Sequence, residues 1–220
     1  MSEMCYEEMK KRCSEYWSDS KANINGMLGG LVNVDSGDIE FSREFLHALN
    51  LKVKRDLCLD CGSGIGRVTK NLLLPEFKQV DMLDFSQDYL NESQSFLTLE
   101  ENSRVRKRIC STLQDFNPDP VDKYGVIWIQ WVTGYMSDDD FVNFLNRIKN
   151  SLCPDGFIII KDNVVSKNDD LIDEQDGSYF RTHETYLKIF NKANLKIIKF
   201  CEQKSFSNQG LYPVFIFSLQ

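Results

Sequence analysis

The chain has 220 residues, 42% of them apolar and 27% charged, which is a globular composition and excludes a disordered chain. Its 33 acidic and 26 basic residues leave a net charge of −7, which argues against a general nucleic-acid binder and suits a cationic substrate. No apolar run approaches the roughly 20 residues a membrane helix needs.

In chain order, residues 1–20 read as an amphipathic helix with Cys5, Met9, Cys13, Tyr16 and Trp17 at three- and four-residue spacing. The N-terminus carries no apolar secretory segment. Residues 23–37, rich in Gly and Asn, read as a loop, and Ile39–Leu49 as a helix with Phe41, Phe45 and Leu49 on one face. Strand-like runs follow at 57–60, 80–83, 108–110, 126–129 and 157–160. Helices are predicted at 67–74, ended by Pro75, at 86–97, 141–152 and 185–192. Continuous apolar strands alternating with helices predict a parallel sheet covered on both faces. Two last strands, 195–200 and 214–219, have no helix between them and predict an antiparallel hairpin. The fold class is α/β and Rossmann-like: seven mostly parallel strands, a C-terminal antiparallel hairpin and an N-terminal helical extension. Residues 1–50 form the extension and substrate lid, and residues 51–220 one compact domain.

Seven cysteines, odd in number and scattered, predict reduced thiols and a cytoplasmic or nuclear protein. Cys58 and Cys61 form a C-x-x-C, but on a strand their side chains point to opposite faces, which disfavours a metal or redox site. No metal is expected.

The segment Asp60-Cys61-Gly62-Ser63-Gly64-Ile65-Gly66-Arg67 joins the first strand to the first helix. Its glycines let backbone approach a ligand, and the helix N-terminus offers unpaired N–H groups. Asp84 ends the second strand, where a carboxylate can bind both ribose hydroxyls of a nucleoside. Glycines that serve packing alone, with Asp84 as a helix cap, are one alternative. A nicotinamide enzyme is another. The form D-x-G-x-G-x-G, together with Leu113-Gln114-Asp115-Phe116 and Leu152-Cys153-Pro154-Asp155-Gly156, resembles the class I S-adenosylmethionine-dependent methyltransferases.

More specific segments recur in order: Tyr16-Trp17, Gly26-Met27-Leu28-Gly29-Gly30, Ile127-Trp128-Ile129-Gln130-Trp131-Val132 with Gly134, and Ile160-Lys161-Asp162-Asn163. Together they resemble the protein N-terminal α-amine methyltransferases, which modify Xaa-Pro-Lys/Arg N-termini. The resemblance implies transfer of methyl groups from S-adenosylmethionine, with S-adenosylhomocysteine as product. Cofactor contacts are implied at Met27, Gly62, Gly64, Arg67, Asp84, Phe85, Ser86, Leu113, Gln114 and Gln130, with Arg67 on the cofactor carboxylate. The peptide contacts are implied at Trp17, Leu28, Gly29, Trp131, Asp173, Ser178 and Tyr212. The catalytic group is implied at Asp176, Asn163 and Tyr135. Tyr135 stands where the family has a His, so Asp176 becomes the principal base and Tyr135 a positioning group. The acids of 167–184 (Asp169, Asp170, Asp173, Glu174, Asp176, Glu184) include some that read as a solvated face and others that can attract a cationic N-terminus. The expected partner is a protein N-terminal peptide, with no nucleic acid and no membrane, and the expected state a monomer. A catalytically weak paralogue acting as adaptor, or a small-molecule amine N-methyltransferase, stays open.

Overall fold

A computed structural model describes residues 6–49, 54–166, 170–206 and 212–220. Its strands are β1 Leu57–Cys61, β2 Gln79–Asp84, β3 Val105–Cys110, β4 Tyr124–Gln130, β5 Leu152–Val165, β6 Leu171–Ile172, β7 Tyr179–Thr182, β8 Ile197–Glu202 and β9 Val214–Leu219. Its α-helices are α1 Tyr6–Asp19, α2 Ile24–Met27, α3 Asp35–Ala48, α4 Leu74–Glu76, α5 Gln87–Phe96, α6 Leu99–Arg104, α7 Asp138–Ile148 and α8 His183–Lys192.

Strands β3, β2, β1, β4 and β5 lie side by side and parallel. The chain then reverses: β9 runs antiparallel to β5, and β8 antiparallel to β9. These are the seven expected strands. Two short ones were not expected: β7 pairs in parallel with Val164 and Val165, and β6 pairs with β7. They extend the sheet at the carboxyl end of β5.

Period-two alternation divides the core. Leu59, Cys61, Ile127, Ile129, Ile158 and Ile160 pack with Phe141, Phe144, Tyr186 and Phe190 of α7 and α8. Cys58, Val126, Trp128 and Ile159 face the other way, toward Phe45, Leu46, Leu72 and Leu90. Cys58 and Cys61 therefore sit on opposite sides of the sheet.

Three local expectations are corrected. The Gly/Asn-rich stretch 23–37 is largely helical, because Asn23 caps α2 by accepting the Gly26 N–H at 3.0 Å. Gly26 is needed there: a Cβ would lie 2.0 Å from the Lys21 carbonyl oxygen. The first crossover helix does not stop at Pro75. A π-turn over Thr69–Leu73 carries it to Glu76. Pro75 has no N–H to return to the Asn71 carbonyl, which accepts from Arg43 Nη2 at 2.7 Å instead. Finally, strand and helix do not alternate throughout: residues 111–123, which contain Pro118 and Pro120, join β3 to β4 without a helix.

Candidate active site

The carboxyl ends of β1, β2 and β4 open into a cavity of about 460 Å³. Open α/β sheets bind ligands at this edge. Its floor is the glycine loop. Gly62 (φ 70°), Gly64 (φ 54°) and Gly66 (φ 90°) occupy the left-handed region. Space is limiting as well as conformation. A Cβ on Gly62 would meet Val132 Cγ1 at 2.6 Å, and one on Gly64 would meet Met27 Sδ at 2.6 Å. The Gly62 and Ser63 N–H groups both donate to the Leu83 carbonyl, at 2.8 and 3.0 Å.

Asp84 braces this loop. Its Oδ2 accepts the Gly64 N–H at 2.7 Å and its Oδ1 the Ser86 N–H at 2.9 Å. Burial raises its pKa against the pull of these donors. Asp60 is also buried beside the cavity, with the Thr69 hydroxyl donating to it at 2.5 Å. Burial pushes its carboxyl up to about 6. Ser63 Oγ is buried without a partner and lines the same wall. An orphaned hydroxyl, two glycines with no room for a Cβ and two acceptor carboxylates fit a nucleoside carrying an amino-acid arm.

Of the residues implied to contact cofactor, Met27, Gly62, Gly64, Arg67, Asp84, Phe85, Leu113, Gln114 and Gln130 line the cavity. Ser86 is not among the lining residues; it caps α5 through Oγ, which accepts the Tyr89 N–H. Arg67 and Gln130 are tied to an acid that sequence reasoning missed. Asp38 of α3 has no exposed surface and accepts from Arg67 Nη2 at 2.8 Å, from Gln130 Nε2 at 2.8 Å and from Lys161 Nζ. Burial opposes its charge, yet Lys161 and Arg67 hold its pKa below the ordinary range.

The cavity roof is α1. Tyr6, Met9, Lys10, Cys13, Ser14 and Trp17 lie on one face of that helix and line the space. The helix is held by the Tyr6 hydroxyl on Asp140, by Arg12 Nη1 on the Glu174 carbonyl at 2.6 Å, and by the Tyr89 hydroxyl on the Trp17 carbonyl.

At the end beyond β4, Trp131 takes the left-handed conformation (φ 53°), uncommon for a side-chain-bearing residue. Its N–H donates to the Lys161 carbonyl at 3.0 Å, and its ring lies 5.7 Å from the Arg67 guanidinium. Tyr135 follows on a short 3-10 turn and donates to Asp176 Oδ2 at 2.6 Å. Asp176 Oδ1 accepts the Ser178 N–H at 2.9 Å and its hydroxyl at 2.7 Å. Burial, and then the Asp176 charge, push the Tyr135 phenol well above its ordinary value, so it stays a donor. Trp17 meets the Tyr135 ring edge-on at 6.1 Å. Arg181 of β7 donates to the carbonyls of Thr133 and Met136, at 2.8 and 2.5 Å, and so clamps the turn that carries Tyr135.

Other residues implied to contact peptide spread outward. Leu28 is buried with Val34, Phe206 and Val214, against Trp131. Gly29 is left-handed, with Tyr16 Oη 3.7 Å from where its Cβ would stand. The Asp173 carboxylate accepts the Gln175 N–H within its own turn. Asn163 lies on β5, where its N–H donates to Asp162. Tyr212 is exposed, packed on Phe180 at 4.7 Å. Lys167 and Asp169 lie outside the described residues.

Comparison with known proteins gives the family. The family model for AdoMet-dependent proline di-methyltransferases matches residues 6–220. An N-terminal Xaa-Pro-Lys N-methyltransferase 1 from Homo sapiens is 40% identical over 213 residues, 95% of this chain and 94% of that protein. An alpha N-terminal protein methyltransferase 1 from Caenorhabditis elegans is 38% identical over 217 residues, 97% of this chain and 91% of that protein. The solved structure of a SAM-dependent methyltransferase from Leishmania major superposes with a TM-score of 0.89 at 31% identity, covering 100% of this chain and 87% of that one. The chain therefore belongs to the AdoMet-dependent proline di-methyltransferase family, and it is an S-adenosylmethionine-dependent methyltransferase.

Proposed function

We propose that the chain methylates the free α-amine of proteins that begin Xaa-Pro-Lys or Xaa-Pro-Arg once the initiator Met is removed. The human relative is named an N-terminal Xaa-Pro-Lys N-methyltransferase, and the Caenorhabditis elegans relative an alpha N-terminal protein methyltransferase. The observation that carries the reading is the Tyr135–Asp176 hydrogen bond, at 2.6 Å, at the edge of the cofactor cavity beside Trp17.

Bound S-adenosylmethionine supplies an electrophilic methyl group on a sulfonium. The protein must hold an amine in line with it and remove a proton. A free α-amine has a pKa of about 7.7–8.0, so that proton is not hard to remove at neutral pH. Asp176 is the acceptor in this reading, directly or through water. Tyr135 keeps its own proton and fixes the carboxylate by donating to it. Asn163 completes the catalytic group. Trp17 and Trp131 offer faces for the proline ring. Asp173, with Ser178, Leu28, Gly29 and Tyr212, extends the contacts along the peptide, where acidic charge favours a basic third residue.

Mass spectrometry of a synthetic Xaa-Pro-Lys peptide, incubated with enzyme and S-adenosylmethionine, should show added methyl groups confined to the N-terminal residue. Replacing Pro by Ala or Lys by Glu should remove most turnover. Equal rates on an internal lysine would overturn the assignment. Tyr135 in place of the family His favours a second reading, a weak paralogue that binds peptide as an adaptor. Peptide binding without mass gain would select it. Methylation of small amines in preference to peptide would select a small-molecule enzyme. The substrate class goes with a cytoplasmic or nuclear protein. Among the described residues no helix is long and apolar enough to cross a membrane.

A further inference from the structure

The Arg67 guanidinium has two carboxylate partners of different character. Nη2 donates to Asp38 at 2.8 Å and Nη1 to Asp35 at 2.7 Å. Asp38 is fully buried, and Arg67, Gln130 and Lys161 all donate to it. Lys161 itself is saturated: its ammonium donates to the Asp38 carboxylate, to the Asp38 carbonyl at 3.1 Å and to Ser42 Oγ at 2.9 Å. Asp38 and Lys161 thus offset each other inside the protein, and neither can leave without stranding a buried charge. Asp35 differs. It is the first residue of α3, its side chain is 24% exposed, and among the described residues its side-chain partner is Arg67. The charge of Arg67, which faces the cavity, is left to be shared between Asp35 and an anion that enters.

We propose that Asp35 is an exchangeable counter-ion of Arg67. It occupies Nη1 until the carboxylate of the cofactor's amino-acid arm takes that place, and so it weakens binding of substrate and product forms of the cofactor alike. The inference rests on the reading that Arg67 meets the cofactor carboxylate. A guanidinium binds a carboxylate best through two parallel N–H groups, and Asp35 holds one of them. Swinging Asp35 into water costs little. It is already partly hydrated, and an acid at the start of a helix remains favoured by the helix dipole. Asp38 meanwhile keeps the guanidinium in place. The consequence is an enzyme that releases S-adenosylhomocysteine more readily than one with a neutral residue at position 35.

Two ligands test this by calorimetric titration: S-adenosylhomocysteine, which has the carboxylate, and 5′-methylthioadenosine, which has the nucleoside and lacks it. Asp35→Asn should bind S-adenosylhomocysteine about threefold or more tightly, the scale of a partly exposed ion pair, and leave 5′-methylthioadenosine unchanged. Unchanged or weaker S-adenosylhomocysteine binding overturns the proposal, and so does a parallel change for both ligands. Arg67→Lys separates the two layers of the argument. It should weaken S-adenosylhomocysteine relative to 5′-methylthioadenosine. If that ratio does not move, the Arg67 reading fails and the counter-ion role fails with it. If the ratio falls while Asp35→Asn leaves S-adenosylhomocysteine untouched, Arg67 keeps its role and Asp35 loses the one proposed here.

Discussion

The two ends of the cavity are built in different ways. At the cofactor end it is largely backbone that is held in place. The Gly62 and Ser63 N–H groups share one carbonyl, and Asp84 holds the Gly64 and Ser86 N–H groups. At the substrate end the positions are fixed by side chains. Tyr135 holds Asp176, Arg181 clamps the turn of Tyr135, and α1 roofs the space through Tyr6, Arg12 and Trp17. A backbone cradle is common to any ligand of the same shape, whereas a side-chain frame can change one residue at a time. Tyr135 lies in the second kind of region. Substitutions at the two ends should therefore separate into effects on cofactor affinity and effects on turnover.

The largest expected effect is at Asp176. Asp176→Asn keeps the shape and removes the charge, so turnover should fall by about 10²-fold or more. The affinity for S-adenosylhomocysteine should stay within about twofold, because Asp176 is not part of the cradle. Steady-state kinetics beside calorimetry reads both. A matched loss of affinity would mean that the two ends are not separable.

Asp60 sharpens the comparison through pH. Its folded pKa of about 6 lies above the ordinary carboxyl value of 3.8. The folded state therefore binds its proton more tightly than the unfolded chain does. This stabilises the protein fully below about 4, and the benefit is lost as pH rises through about 6. At neutral pH the ionised, buried Asp60 costs up to about 3 kcal/mol. Asp60→Asn keeps an acceptor for Thr69 and removes that cost. Ligand-free Asp60→Asn should be more stable than wild type in urea at pH 7.5, and the two should converge near pH 4. A constant difference across that range would show that the carboxylate charge is not the cause.

At Asp84 the cradle itself is tested. Asp84→Ala should weaken S-adenosylhomocysteine at least about tenfold, given a charge-assisted hydrogen bond of about 1.5–3 kcal/mol. Asp84→Asn should not rescue it. Both carboxylate oxygens already accept a backbone N–H, and an amide would set its own NH₂ against one of those donors. Rescue by Asn would mean that the charge and its paired acceptors are not what the loop uses.

The same contrast explains what could be read from the sequence. Strands β1, β2, β4 and the middle of β5 were legible because each holds a run of residues buried on both faces, such as Val126-Ile127-Trp128-Ile129, with no exposed surface; β3, mostly half-buried or exposed, gave only a short weak run. The glycine loop was legible because backbone that must approach a ligand needs glycine. Asp38 was not. An acid near the start of a helix looks solvated, and its burial depends on Lys161, 123 positions away. Strands β6 and β7 were hidden as well. They are two and four residues long and lie in an acidic stretch with no apolar period. Helix α1 was legible from its apolar period, but that period alone does not say whether a stripe lines a cavity or meets a core.

The smallest effect, and the one that bears most on the comparison, is at Tyr135. Burial and the adjacent Asp176 keep its phenol protonated, so it cannot take a proton from an ammonium at neutral pH. What it can do is hold Asp176 in place. Tyr135→Phe removes the hydroxyl, and the ring can keep its edge-on contact with Trp17. Asp176 would retain Ser178, which donates through both its N–H and its hydroxyl. One of three donors is lost, so turnover should fall less than in Asp176→Asn, by about tenfold, the worth of one hydrogen bond to a charged group. Tyr135→His, which places at this position the residue the sequence resemblance implies, should raise turnover above wild type while leaving S-adenosylhomocysteine affinity unchanged. If Tyr135→Phe were as damaging as Asp176→Asn, the phenol would belong to the proton path, and the side-chain frame would be doing chemistry as well as holding it.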